Sequence, residues 1–435
     1  MNPTAPLPPP QIERLLRLYR AMREAADPAR VVPAHLPPPP QGRTVVVGLG
    51  KAAAAMAQAV EAHWPGPLGG AVVVPHGAAL PLQRIRVLEA SHPVPDESSV
   101  AAARALLQAV AGLGPEDLVI ALVSGGGSSL CALPAPGLTL ADKQRITREL
   151  LARGATISEM NTVRKQLSAF KGGRLAAAAW PARVATLVIS DIPGDDPAQV
   201  ASGPTLAATS TPAQAEAILQ RHGIDAGTAF AGAAAGPAGN GGGASLLPGD
   251  PRLARNTQQV IASAWDGLRA AAAAARADGL AAHVLGDAIE GEAREVARVH
   301  AGIARSVALH GAPFAAPCVL LSGGEATVTL RGDGLGGRNT EFALALALAL
   351  EPAVRGLRWH ALSAGTDGLD GRAGAAGAWI APATLADARA LGLDPQASLD
   401  RNDSGRFFER VGGLVHTGPT HTNINEFRAL LIERV

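Results

Sequence analysis

Only two cysteines, Cys131 and Cys318, occur in 435 residues, which excludes a disulfide framework and fits a reducing, cytoplasmic home. Cys131 has no histidine near it in sequence and reads as a small buried hydrophobe rather than a nucleophile. The formal charge is only +1, and no lysine/arginine run is visible. No general field therefore draws nucleic acid or an anionic membrane, and any basic chemistry must be local. Among eleven histidines there is no His-Glu-x-x-His pair, which argues against zinc catalysis. The apolar stretch Phe342 to Leu350 is far shorter than the ~20 residues that cross a bilayer. Met1 to Pro10 has neither the basic start nor the apolar core of a signal peptide. Aromatics are scarce at 3%, and Ala, Gly and Pro take their place, a mix that suits close helix contacts and tight turns in α/β enzymes.

What is present divides into about two domains, at roughly 150 to 200 residues each. An amphipathic helix from about Gln11 to Ala26 precedes a proline-rich connector ending at Pro40. Short apolar strands are expected at Thr44 to Val47, Gly70 to Val74, Ile85 to Glu89, Leu118 to Val123 and Ala185 to Ile189. Helical spacing fills most intervals, as at Ser98 to Ala111, Leu140 to Arg153 and Met160 to Ala179. Such alternation implies a mostly parallel sheet covered on both faces, with ligands beyond the carboxyl ends of its strands. Gly223 to Pro251 is crowded with Gly, Ala and Pro and reads as a linker and domain boundary. We therefore expect residues 1–40 to pack with the first domain, residues 41–245 to form that domain, and residues 246–435 the second. The second domain should hold a helix over Arg255 to Asp278, a strand at Ala281 to Leu285 and a helix over Glu290 to His310. Strands at Val319 to Leu321, Ala326 to Leu330 and Trp359 to Leu362 follow, with a helix at Asn339 and a closing one from Asn425.

Several motifs carry chemistry. Gly334-Leu335-Gly336-Gly337-Arg338-Asn339 opens an Ala/Leu helix. A glycine turn, an arginine and a helix start together suit an oxyanion, because the first backbone N–H groups of a helix have no intrahelical acceptor. Gly48-Leu49-Gly50-Lys51-Ala52-Ala53 is nearly a dinucleotide fingerprint, but the ribose acid is missing where Val74 runs into Pro75-His76-Gly77. Lys51 is either an anion contact or a solvated lysine on a packing turn. Ser124-Gly125-Gly126-Gly127-Ser128-Ser129 follows a strand, and consecutive glycines can turn several N–H groups toward one anion. It lacks the flanks of a Gly-x-Ser-x-Gly nucleophile elbow. Asp191 and Asp367 stand after apolar strands on Gly-rich loops, where a carboxylate can hold hydrated magnesium beside phosphates or simply make an Asx turn. His92 lies in the structured loop Glu89 to Asp96, to orient a substrate or to satisfy the loop. Arg164, Lys165, Lys171 and Arg174 are expected on one helix, as a solvated face or turned inward toward a carboxylate or phosphate.

The motifs Gly48 to Ala53, Glu89 to Asp96, Ser124 to Ser129, Asn161 to Leu175, Ser190 to Thr205, Gly336 to Glu341, Ala364 to Gly371 and His416 to Asn425 together resemble the bacterial glycerate 2-kinase family. Its C-terminal part is the MOFRL module, here about residues 315–425. The resemblance implies two α/β domains, the first a Rossmann-like, mostly parallel sheet with helices on both faces, and an active site in the cleft between them. It implies ATP- and Mg2+-dependent transfer of the γ-phosphoryl group to the 2-hydroxyl of D-glycerate. The family's essential lysine falls on Lys51 and its essential arginine on Arg338. From chemistry, Ser124, Gly125, Gly126, Gly127, Ser128 and Ser129 are expected at nucleotide phosphates. His92, Arg164, Lys165 and Asn339 are expected at the substrate, and Asp191 and Asp367 at the metal. The expected partners are small molecules, with a homodimer as the oligomer to test. The rival reading is an NAD(P)H-dependent hydroxypyruvate reductase, a label that proteins resembling this one have often carried.

Overall fold

A computed structural model describes residues 8–225, 245–351 and 357–434. The chain divides into two compact units, one made of Pro28–Ser190 and Asp195–Ile261, the other of the segments up to Asp27, Asp191–Gly194 and from Ala262 onward.

The first unit is built on a six-stranded sheet of β1 (Thr44–Leu49), β2 (Gly69–Pro75), β3 (Ile85–Ala90), β4 (Leu118–Ser124), β5 (Arg183–Ile189) and β6 (Thr257–Ala262), in the order β3-β2-β1-β4-β5-β6. The pairings from β3 through β5 are parallel, and β4, buried along its whole length, runs beside β1 with Val47 opposite Ala121. Continuous Val, Ile and Leu are what a strand covered on both faces requires. From β1 the chain winds outward to β2 and β3, then returns to the other side for β4 and β5. The strand order therefore reverses between β1 and β4, the place where open α/β sheets bind ligands. The expected helix over Met160 to Ala179 is instead two, Ile157–Gln166 and Arg174–Ala179. Gly172 and Gly173, at φ +59° and +81°, turn the chain through the left-handed region, and the Ser168 hydroxyl accepts from the N–H groups of Phe170 and Lys171.

The second unit holds β7 (Ala281–Gly286), β9 (Cys318–Ser322), β11 (Leu357–Gly365), β12 (Gly377–Ile380), β13 (Leu414–Val415) and β14 (Glu426–Arg434), in the order β13-β12-β11-β14-β9-β7. Two short strands, β8 (Gly291–Glu292) and β10 (Ala326–Thr327), pair with each other. Only β7 and β9 run parallel; the other pairings of the six-stranded sheet are antiparallel. Helices Ala293–His310 and Arg338–Leu350 bury alanine and leucine in one core with the sheet.

Further expectations are corrected. The closing helix from Asn425 is β14, a central strand buried from Glu426 to Ile432; a short apolar run such as Leu430-Leu431-Ile432 reads equally as helix or strand. The long helix from Arg255 begins only at Ala264, because Thr257–Ala262 is drawn into the first sheet and Ser263 caps the helix by accepting from Asp266 N–H. That moves the boundary to Ile261, while residues 226–244 of the expected linker lie outside the described residues. The strand expected to Leu330 ends at Thr327. The helix Pro10–Ala25 belongs with the second unit, not the first, since its stripe of Ile12, Leu15, Leu18, Tyr19 and Met22 is buried there, against helix Ala264–Ala277. Gly267 makes room for this, because a Cβ there would stand 2.6 Å from Met22 Cγ.

Candidate active site

In the first unit two loops meet at the strand-order reversal. Gly50, at φ +125°, lies so close to Ser124 that a Cβ would collide with its hydroxyl and carbonyl. Ser124 is wholly buried and its hydroxyl accepts from Ala52 N–H at 3.0 Å, while Lys51 N–H donates to Gly125 C=O at 2.9 Å. These bonds fasten the Lys51 turn to the triple-glycine turn. Gly126 then sits under both candidate side chains: a Cβ there would be 3.1 Å from the His92 ring and 3.4 Å from Lys51 Cγ. Ser91 and Ser98 hydroxyls hold Asp96 well down, to about 2, and this carboxylate pins the loop that carries His92. Ser124, Gly125 and Gly127 are buried, and Gly127 packs on Ala201 and Leu49. Of the six positions expected at phosphates, Gly126, Ser128 and Ser129 alone are partly exposed. Ser124 is therefore a hinge bolt rather than a ligand group. Ser128 Oγ lies 2.7 Å from Ser202 Oγ, and Ala201 and Ser202 both hold positive φ, +52° and +61°. Non-glycine residues in that region cost about 1–3 kcal/mol each and concentrate at functional sites.

The basic residues after Asn161 turn inward. Lys165 is buried and donates to Gln199 Oε1 at 3.3 Å. Lys171, equally buried, donates to the carbonyls of Ser128 and Cys131 at 2.7 and 2.8 Å, and burial pushes it down to about 7. Arg164 is half-buried.

In the second unit, Arg338 opens its helix with two carboxylate partners, Glu325 at Nη1 and Glu426 at Nε, both at 2.7 Å. Burial alone would lower its guanidinium, but Glu325, Asp367 and Asp370 outweigh that and hold the charge on. Glu426 is buried and pairs with Arg428, which burial and then Arg338 push down to about 9. The helix N-terminus itself is not vacant for a ligand. Asp370 Oδ1 accepts from Asn339 N–H at 2.8 Å, and Oδ2 from Thr340 N–H and Oγ1–H at 2.9 Å. Burial raises this carboxyl and these bonds oppose the rise. The oxyanion expected at the helix start is thus the protein's own. Asn339 is 1% exposed, donates to Asp370 at 3.2 Å and accepts from the Ser363 hydroxyl at 2.8 Å. Its expected substrate role is corrected to holding Asp370.

Asp191 and Asp367 are tied to one anchor. Asn425 donates from Nδ2 to Asp191 C=O at 2.8 Å, and its own carbonyl accepts from Thr366 N–H and Oγ1–H at 2.9 and 2.6 Å. Asn423 Nδ2 donates to the Asp191 carboxylate at 2.8 Å, and Asp367 Oδ1 accepts from Leu369 N–H at 3.0 Å. Beneath this loop the only tyrosine, Tyr19, donates to Gly365 C=O at 2.6 Å, its ionisation suppressed by burial. Among the described residues no group of three or more His, Cys, Asp or Glu is arranged to hold a metal. Each of the two acids is an oxygen donor of the kind magnesium takes, which binds through one or two acids and keeps several waters.

Two family models match, a domain of unknown function (DUF4147) over residues 14–231 and the MOFRL family over residues 318–426. The chain is 37% identical over 423 residues to the D-glycerate 2-kinase of Thermotoga maritima, covering 96% of this chain and 98% of that one. The chain belongs to the bacterial glycerate 2-kinase family. A crystal structure of glycerate kinase from Thermotoga maritima aligns with a TM-score of 0.83 at 35% identity, covering 98% of this chain and 100% of that one. A protein of Agrobacterium vitis that carries the provisional name hydroxypyruvate reductase is 53% identical over 425 residues, 96% of this chain and 94% of its own. Within this glycerate 2-kinase fold, Glu325, Glu426, Arg428 and Lys143 take part in the charged networks although sequence reasoning gave them no role. Glu426 and Arg428 stand two apart on either side of Phe427, a period-two signal that a helical reading of the segment hides.

Proposed function

We propose that the protein transfers the γ-phosphoryl group of ATP, with Mg2+, to the 2-hydroxyl of D-glycerate, giving 2-phosphoglycerate and ADP. The observation that carries this reading is the pair Lys51 and His92 converging on Gly126 at the strand-order reversal, in a chain matched along nearly its whole length by a D-glycerate 2-kinase. Phosphoryl transfer asks a protein to align attacker and leaving group and to neutralise charge on the phosphoryl oxygens. In this reading Lys51 supplies a point charge to the phosphates, and Gly126, Ser128 and Ser129 line their path. His92 orients the three-carbon acid. Arg338 stabilises the oxygens that gain charge, its planar donor face held by Glu426 and Glu325 so that little reorganisation is needed on reaction. Asp191 and Asp367 would hold magnesium. The chemistry it would supply there is charge neutralisation on the phosphates.

The reductase reading has the name of the Agrobacterium vitis relative in its favour. Against it, β2 ends at Pro75, where a dinucleotide site carries its ribose acid. The test is a phosphorus NMR assay of the purified protein with ATP, Mg2+ and D-glycerate, beside a cuvette of NADH and hydroxypyruvate. We expect 2-phosphoglycerate with ADP and a silent cuvette. A 3-phospho product would overturn the regiochemistry, and NADH oxidation without phosphoryl transfer would overturn the kinase.

A further inference from the structure

In the second unit the chain from Glu325 to Arg338 makes a closed loop. Its neck is the ion pair between those two residues, 13 positions apart in sequence and 2.7 Å from carboxylate to guanidinium. Beyond β10 the described residues 328–337 form neither helix nor strand, those from Thr329 to Asp333 are exposed, and Gly332, Gly334, Gly336 and Gly337 lie among them. An exposed, glycine-rich segment has much backbone entropy to lose, so bonds from outside must set its shape.

One buried side chain supplies most of them. Asn402, 4% exposed, sits in the turn between helices Pro395–Asp400 and Ser404–Val411. Its φ of +55° is one that asparagine tolerates better than most residues. Its Oδ1 accepts from Arg331 N–H at 2.6 Å and from Gly332 N–H at 3.2 Å, and its Nδ2 donates to Thr329 C=O at 3.2 Å. Those bonds pin the tip of the loop. Nδ2 also donates to the buried Glu341 carboxylate at 2.9 Å, one turn into the helix that Arg338 opens, where Arg294 pairs with the same acid at 2.7 Å. The amide thus has every donor and acceptor site occupied. Glycine permits the approach, because a Cβ at Gly332 would stand 2.6 Å from the Arg401 carbonyl oxygen. Asn402 therefore fastens the limb that leaves Glu325 to the helix that carries Arg338.

We infer that Asn402 is a positioning residue for Arg338. It acts through that arginine, by keeping loop and helix in the one arrangement that sets Glu325 against the guanidinium. A charged donor held in place beforehand stabilises developing charge without reorganising, and a small misplacement is costly in rate rather than in binding. The inference rests on the kinase reading for the reaction that Arg338 serves, and on the hydrogen bonds alone for the anchor.

The test compares the full chain as wild type, Asn402→Gly, Arg338→Ala and the double variant, by steady-state kinetics with ATP, Mg2+ and D-glycerate and by amide hydrogen exchange. Glycine accepts the same φ, so Asn402→Gly removes the side-chain bonds and leaves the turn its conformation. The amides of Arg331 and Gly332 should be protected in wild type, although both residues are exposed, and should exchange freely in Asn402→Gly. Its kcat should fall by about tenfold to a hundredfold with little change in KM for either substrate. In the Arg338→Ala background the same change should alter the remaining kcat by less than about twofold, because the group it positions is gone. Free exchange of these amides in wild type, unchanged kcat in Asn402→Gly, a rise in KM alone, or an equal loss of kcat with and without Arg338 would overturn the inference. Thermal melting checks that Asn402→Gly is folded. If it has unfolded, Gly332→Ala decides, since its methyl pushes the exposed loop off the Arg401 carbonyl; kcat should fall there too, and full turnover overturns the inference. No phosphoryl transfer by wild type would sink the kinase reading, and the exchange comparison would then decide the anchor by itself.

Discussion

Arg338 is the side chain whose surroundings speak most directly to chemistry. It is charged, fixed at two of its nitrogens and still 31% exposed. Arg338→Ala should remove most of kcat while leaving the melting temperature near that of wild type, because Glu426 keeps Arg428 as a partner. Arg338→Lys should also fall well short, since an ammonium cannot replace a forked donor. Steady-state kinetics beside a thermal melt checks both, and normal turnover in Arg338→Ala would remove the residue from the mechanism. Gly126→Ala is the matching change on the glycine turn. At φ +82° with a methyl 3.1 Å from the His92 ring, it should cost about 1–2 kcal/mol in backbone strain and displace Lys51 or His92. Kinetics should show kcat reduced in a folded protein. The places of the glycine turn, Lys51 and Arg338 at loop-to-helix junctions were legible in sequence, because glycines beside a lone charge stand out. The carboxylates that aim Arg338 were not, because Glu325 and Glu426 are 101 positions apart by number and only the fold brings both to one guanidinium.

Elements show the same division between local and distant information. β1, β2, β4 and most of β5 were readable as continuous apolar runs, whereas β6, which opens Thr257-Gln258-Gln259, was read as helix. β14 was misread because its alternation is confined to Glu426-Phe427-Arg428 and the buried run Ala429 to Ile432 carries none, and the pairing partners that decide its state lie far off in the chain. The split of the expected Met160 to Ala179 helix had a local signal in Gly172-Gly173. The start of helix Arg338–Leu350 is the clearest case of an element completed by a remote residue. Asp370, not a ligand, takes its first N–H groups. Asp370→Asn keeps the shape but sets an NH2 or a neutral oxygen against those donors, and should destabilise the protein by about 1–3 kcal/mol. Urea unfolding would measure it; an unchanged midpoint would show that the cap contributes nothing.

For the molecule as a whole, acid is the informative stress. His300 is buried between Val296 C=O and the Ser322 hydroxyl, and burial pushes it down to about 4. In the unfolded chain an imidazole titrates near 6.5. Between those values the unfolded state binds a proton that the folded state refuses. Stability should therefore fall as pH drops from about 6.5 to 4, by at most roughly 1.4 kcal/mol per pH unit from this group, and level off below. Denaturant midpoints measured across that range should be flatter in His300→Gln; an identical slope would assign the acid sensitivity elsewhere. Among the described residues no helix is long and apolar enough to cross a membrane.

The place of β14 also sets the order in which the chain can be assembled. It lies between β11 and β9 in its sheet yet follows both in the sequence, and the helix Pro10–Ala25 of the same unit is made before almost everything else. A ribosome would release the first unit's strands in a single stretch from Pro28 to Ile261, broken only by Asp191–Gly194. The second unit must keep its opening helix waiting and its half-sheets unjoined until the final strand emerges. Synthesis thus hands over one half ready to fold and the other with exposed strand edges, the condition in which nascent chains most need a chaperone.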